Sequence, residues 1–128
     1  MNAIALDDER PALEVIQAFC ERIDLVTLLH TFTRTSEAHR FLDQQTIDLI
    51  FLDINMPGMS GWDFMEEYRK IDVAHKSKTI VVMLTTSLNP DDELMASANE
   101  EIRNYLHKPL NEDAFVKIAG KYFEEINN

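Results

Sequence analysis

Residues 49–61, LIFLDINMPGMSG, decide the fold of this 128-residue chain. Leu49 to Leu52 form an unbroken apolar run. Such a run fits a short strand covered on both faces, the habit of parallel sheets with helices above and below. Asp53 then puts a carboxylate at the strand's C-terminal tip, and Pro57, Gly58 and Gly61 supply turn residues after it. In open α/β sheets that edge is where ligands bind.

The pattern repeats outward. Ile4–Leu6, Leu25–Phe32, Ile80–Leu84 and Tyr105–His107 read as four more short strands. Helical segments lie between them. Pro11 opens the first helix, with Ala12, Ile16, Phe19, Cys20 and Ile23 on one stripe. Ser36 is placed to cap a second helix reaching about Gln45, with Ala38, Phe41 and Leu42 inward. Trp62–Ile71 gives a third, carrying Trp62, Phe64 and Met65. Asn89 and Pro90, followed by Asp91, Asp92 and Glu93, start a fourth, because carboxylates in a first turn favour the helix dipole. Asn111, Glu112 and Asp113 repeat that logic for a last helix to about Ile126. The order βαβαβαβαβα predicts one α/β domain over residues 1–128, a doubly wound parallel sheet with helices on both faces. Right-handed crossovers and one reversal of winding bring the ends of strands one, three and four to a switch point.

Composition narrows the function. Twelve basic against 23 acidic residues give a net charge of -11, which argues against a nucleic-acid footprint and a polybasic membrane anchor. The single cysteine, Cys20, excludes an intrachain disulfide and a cysteine metal cluster, and fits a small buried hydrophobe. The start, MNAIALDDER, is unlike a signal peptide, and no stretch is apolar enough to span a bilayer, so a cytoplasmic protein is expected. His30, His39, His75 and His107 are scattered without ligand spacing. Met56 and Met59 border the loop after Asp53, where packing is their ordinary role.

Chemistry collects at the predicted switch point. Asp7 and Asp8 follow the first strand, Asp53 the third, Thr85 ends the fourth, and Lys108 precedes Pro109 after the fifth. Two carboxylates about 4 Å apart repel by roughly 4 kcal/mol at an effective dielectric near 20. A divalent cation resolves that conflict, and oxygen-only ligands favour Mg²⁺ or Mn²⁺ over zinc. Each residue also has a plainer use. Asp7 or Asp8 could cap the first helix, Lys108 could be solvated, Thr85 could be a turn residue and Tyr105 a core aromatic. Asp53 is harder to explain that way, since a carboxylate ending an apolar strand is costly to desolvate unless paired or metal-bound. Lys108 could pair with it at rest and with a phosphoryl oxygen later. The Lys108–Pro109 bond is a candidate cis peptide.

Taken in order, an acidic pair, an aspartate followed by PG and G, a strand-end threonine and KP resemble a response-regulator receiver domain, the phosphoacceptor module of two-component signalling. The resemblance spans essentially the whole chain. It implies a flavodoxin-like (βα)5 fold with strand order 2-1-3-4-5. It also implies that Asp53 accepts the phosphoryl group, that Asp8, Asp53 and the Asn55 backbone carbonyl hold Mg²⁺, and that Asp7 orients a metal-bound water. Thr85 and Lys108 would bond phosphoryl oxygens, and Tyr105 would be the aromatic switch residue. Thr86 departs from the pattern, which favours a small residue there, and Asn55 and Ser87 occupy positions that influence hydrolysis of the acyl phosphate.

The chain ends just after its fifth helix, so a stand-alone receiver of the chemotaxis type is expected. It would take phosphate from a histidine kinase or phosphotransfer histidine protein, signal to a downstream protein, and have only self-phosphorylation and self-dephosphorylation chemistry. The resemblance also allows a homodimer through the fourth helix, fifth strand and fifth helix. A Mg²⁺-dependent phosphate-ester hydrolase is a competing class, but Asn55 stands where dehalogenase-like phosphatases carry a second aspartate. A contact module without phosphorylation is another, disfavoured by the complete acceptor set.

Overall fold

The computed structural model describes residues 1–56, 60–70, 79–86 and 88–127. Pro57, Gly58, Met59, Ile71, His75 and Ser87, invoked above, lie outside the described residues. In chain order the elements are β1 (Asn2–Leu6), α1 (Arg10–Arg22), β2 (Thr27–Phe32), α2 (Thr35–Leu42), β3 (Leu49–Asp53), α3 (Gly61–Tyr68), β4 (Ile80–Thr85), α4 (Pro90–Ala98), β5 (Ile102–His107) and α5 (Glu112–Asn127). All pairings are parallel, in the order β2-β1-β3-β4-β5. This is the expected flavodoxin-like doubly wound sheet.

Side-chain alternation in the central strands divides the core. Ala3, Ala5, Leu49, Phe51, Ile80, Val82 and Leu84 face α1 and α5, where Leu13, Ile16, Phe115, Ala119 and Tyr122 meet them. Ile4, Leu6, Ile50, Leu52, Val81 and Met83 face the other way, against Ala38, Leu42, Phe64, Met65, Tyr68 and Ala96. Burial on both faces is why β3 and β4 are continuous apolar runs.

Several boundaries move. α1 begins at Arg10, making Pro11 its second residue, and Leu13, not Ala12, is the first side chain it buries. α2 begins one residue before Ser36, with Arg34 at its N-cap and Thr35 buried in its first turn, and gives way to a turn after Leu42. β2 starts at Thr27, since the Leu25 carbonyl accepts instead from the N-terminal ammonium at 2.7 Å. β5 starts at Ile102, three residues before Tyr105. It is an edge strand whose register against β4 slips at Arg103, and Arg103 and Asn104 both reach α5, bonded to Glu125 and Tyr122 respectively. Asn89 and Asn111 cap as expected, accepting from the amides of Asp91 and Ala114.

Candidate functional site

Strand register assembles the site. Leu6 lies opposite Leu52, Asp53 opposite Leu84, and Thr85 opposite His107. Asp7, one residue past β1, therefore comes level with Asp53, and its amide extends the ladder by donating to Phe32 O at 3.0 Å. Lys108, one residue past β5, donates its amide to Thr85 O at 2.8 Å. The Lys108–Pro109 peptide is cis, as the sequence suggested. Asp7, Asp53 and Thr85 are buried, Asp8 half-buried, and Asn55 exposed.

Three carboxylates meet here. Asp7, Asp8 and Asp53 each offer an oxygen within 4.8 Å of the others. Lys108 Nζ lies 2.5 Å from Asp7 Oδ2 and 3.4 Å from Asp53 Oδ1. The resting partner of the lysine is thus chiefly Asp7, where sequence reasoning had paired it with Asp53. Asp7 Oδ1 also accepts from the Glu9 amide at 3.0 Å, a local turn, while the residue at the N-cap of α1 is Glu9 and makes no side-chain cap bond. The helix-cap use of Asp7 is therefore not the one observed.

The charges shift accordingly. Burial, reinforced by the Asp7 carboxylate, pushes the Asp53 pKa up to about 6, against the opposing pull of Lys108 and the Asn55 backbone hydrogen bond. Burial works to lower Lys108, but the bond to Asp7 and the fields of Asp7 and Asp53 outweigh it and raise its pKa. An all-oxygen donor set with unbalanced negative charge fits a hard divalent cation such as Mg²⁺.

Gly61 is held against the end of β3. The Gly61 amide donates to Ile54 O at 2.7 Å, and a Cβ at Gly61 would lie 2.6 Å from Asp53 O. Only glycine fits that approach. Ser60 closes the start of α3 with a capping box: its Oγ accepts from Asp63 N at 3.2 Å, and its amide donates to Asp63 Oδ2 at 3.1 Å. The sequence places Gly61 among the turn residues after Asp53 and starts the helix at Trp62, one residue later than observed. Ser60 followed three residues later by Asp63 was the legible signal.

Tyr105 sits on β5 opposite Met83, on the same face as Thr85, and packs against the α2–α3–α4 side of the core. Its hydroxyl is buried, with no hydrogen-bond partner among the described residues. Thr86 is exposed and, with Lys108, lines a groove of about 370 Å³ walled by Pro11, Ala12, Val15 and Leu110.

Fold and constellation together define an acidic switch-point module of the doubly wound class, with one lysine set against three carboxylates. The family model for the response regulator receiver domain matches residues 3–119, and the chain belongs to that family, the receiver domains of two-component response regulators. It is similar to chemotaxis protein CheY of Pseudomonas aeruginosa, at 28% identity over 75% of this chain and 80% of that protein. It is also similar to the heme response regulator HssR of Staphylococcus epidermidis, at 28% identity over 86% of this chain. The chain spans 46% of the length of HssR. A two component response regulator from Cytophaga hutchinsonii superposes with a TM-score of 0.85 at 25% identity, over 96% of both chains. Among the described residues no helix is long and apolar enough to cross a membrane.

Proposed function

We propose that the chain is a phosphoacceptor switch that receives a phosphoryl group on Asp53 from a phosphohistidine of a histidine kinase or phosphotransfer protein. The observation that carries this reading is the convergence of Asp7, Asp8 and Asp53 at the tip of a fully buried strand, with Lys108 set against Asp7 and Asp53. An Asp53 carboxylate oxygen attacks phosphorus. The O–P bond forms as the P–N bond breaks, and the departing imidazole takes up a proton. Asp8, Asp53, the Asn55 backbone carbonyl and, through a water, Asp7 would hold Mg²⁺, or Mn²⁺ in its place, which supplies neutralising charge to the phosphoryl oxygens. Lys108 then exchanges part of its contact with the carboxylates for a phosphoryl oxygen. Thr85 gains a hydrogen bond to another oxygen. That contact exists only in the modified state, so it biases the packing of Tyr105 and the surface of α4, β5 and α5 toward a partner-binding form.

The net charge of -11 supports a protein partner over nucleic acid. A stand-alone cytoplasmic receiver, with self-phosphorylation and self-dephosphorylation its only chemistry, belongs to this reading, and the match over 80% of CheY favours the stand-alone form. A homodimer through α4, β5 and α5 is part of the same proposal. Incubation with acetyl phosphate and Mg²⁺ should add the mass of one phosphoryl group, and Asp53→Ala should abolish the gain. No gain in the native protein refutes the assignment, and sustained phosphate release from many esters would favour a hydrolase.

A further inference from the structure

The single tryptophan, Trp62, follows the glycine clamped beneath Asp53. Gly61 is fixed to the end of β3 by its amide bond to Ile54 O at 2.7 Å and by the 2.6 Å that separates its missing Cβ from Asp53 O. The capping box holds the first turn of α3 in register with that clamp. From this turn the indole Nε1 of Trp62 donates to Asp92 Oδ1 at 3.0 Å, across 30 residues of chain, while its ring packs on the core that contains Phe64 and Met65. Asp92 lies in the first turn of α4, which Asn89 caps and Pro90 starts. Residues 86–89 join that turn directly to Thr85 at the end of β4.

Asp92 also faces the switch side of the sheet. Burial first, then the charges of Asp92 and Glu93, raise the pKa of the Tyr105 hydroxyl. The first turn of α4 is thus held from two directions, by its short covalent connection to Thr85 and by a charged hydrogen bond from the helix that carries the Asp53 loop. Among the described residues α4 is lightly packed, since Ala96 is its one buried residue and Leu94 and Met95 are exposed. A bond across such a lightly packed helix is well placed to set its position.

We propose that the Trp62–Asp92 hydrogen bond couples the state of Asp53 to α4, with Trp62 acting as a positioning residue. The proposal rests on the phosphoacceptor reading for its input, whereas the link itself is a property of the unmodified protein. Any movement of the Asp53–Gly61 clamp reaches α4 through Trp62. By reciprocity, a partner that captures α4 alters the affinity of Asp53 for its modification.

The test is hydrogen exchange of residues 90–98 in the full chain with Mg²⁺, with and without beryllofluoride as a phosphoryl mimic, in native protein, Trp62→Phe, Asp92→Leu and Asp92→Asn. Trp62→Phe keeps an aromatic ring but removes the N–H. Asp92→Asn keeps the accepting oxygen. In unmodified protein, Trp62→Phe and Asp92→Leu should speed exchange in α4 by about tenfold, the scale expected for losing a hydrogen bond to a charged group, while exchange in β1 and β3 stays native. Asp92→Asn, which keeps a neutral bond but loses the first-turn charge, should fall between native and Asp92→Leu. On adding beryllofluoride, the native protein and Asp92→Asn should show a change in α4 exchange that the other two lose, although ¹⁹F NMR finds the mimic bound in all four. Native-like α4 exchange in unmodified Trp62→Phe overturns the link, and so does an undiminished α4 response in Trp62→Phe with the mimic bound. Failure of the native protein to bind the mimic would count against the phosphoacceptor reading instead, and the unmodified arm would still decide the link.

Discussion

Asp53→Asn should stabilise this protein at neutral pH when divalent cations are absent. Asn preserves the shape of the side chain and an oxygen facing Lys108 Nζ, which lies 3.4 Å from Asp53 Oδ1, while removing a buried negative charge beside Asp7. In the folded protein the Asp53 pKa is raised from 3.8 to about 6. Between those values the native state binds more protons than the unfolded chain, so stability falls as pH rises through that window and is level above it. At 1.36 kcal/mol per pKa unit, ionised Asp53 costs about 3 kcal/mol at pH 7.5, about half that at pH 5 and almost nothing at pH 3. Urea unfolding in EDTA at those three pH values, native against Asp53→Asn, should give a stability difference that shrinks in that order. His39, whose pKa burial lowers, tilts stability the other way, with loss as pH falls below about 6.5, but it is common to both proteins and cancels in the difference. Mg²⁺ at 100 times its dissociation constant should return about 2.7 kcal/mol to the native protein, and less to the variant. A variant no more stable than the native protein at pH 7.5, or a difference independent of pH, would refute the picture of Asp53 as an incompletely compensated buried charge.

Gly61→Ala should cost about 1–3 kcal/mol in urea unfolding, the usual range for overpacking, because its Cβ would meet backbone atoms of Asp53 and Ile54 at 2.6 and 2.9 Å. Native stability in that variant would show that the loop is not clamped as described. Lys108→Met removes the counter-ion of buried Asp7 and should destabilise the cation-free protein by about 3 kcal/mol, the low end for a broken buried pair. Saturating Mg²⁺ should restore more stability to this variant than to the native protein, and an equal gain in both would argue against shared use of the carboxylates.

The fold was legible because its decisive strands are buried on both faces. β3 and β4 consist of residues with no reason to alternate, and apolar runs of that length between helical stripes permit few other architectures. Legibility failed where polar side chains belong inside elements. Arg103 and Asn104 read as loop, yet they sit in β5 because an edge strand can turn polar groups toward α5 and satisfy them on Glu125 and Tyr122. Thr35 read as a residue outside its helix because nothing in the sequence shows that it is buried. At the site, residue identities could be read from strand ends, but partner choice could not. Whether Lys108 prefers Asp7 or Asp53 depends on distances of 2.5 and 3.4 Å that arise from the register of strands far apart in sequence. Trp62 went unrecognised for the same reason, since its partner Asp92 is fixed only when α3 and α4 pack side by side.

The same distances bear on why a site of this kind would hold a phosphoryl group instead of turning it over. Rapid hydrolysis of an acyl phosphate calls for a general acid or base whose pKa lies near the working pH. Among the described residues Asp53 is bonded to Lys108 and to the Asn55 backbone amide. The amide does not titrate, and Lys108 is held protonated by Asp7, so neither exchanges protons readily at neutrality. Asn55 stands where a second aspartate would otherwise supply the acid. On the proposed reading, self-dephosphorylation is the basal route, and a partner that reaches past exposed Thr86 and the groove beside Lys108 with its own base would shorten the lifetime of the modified state.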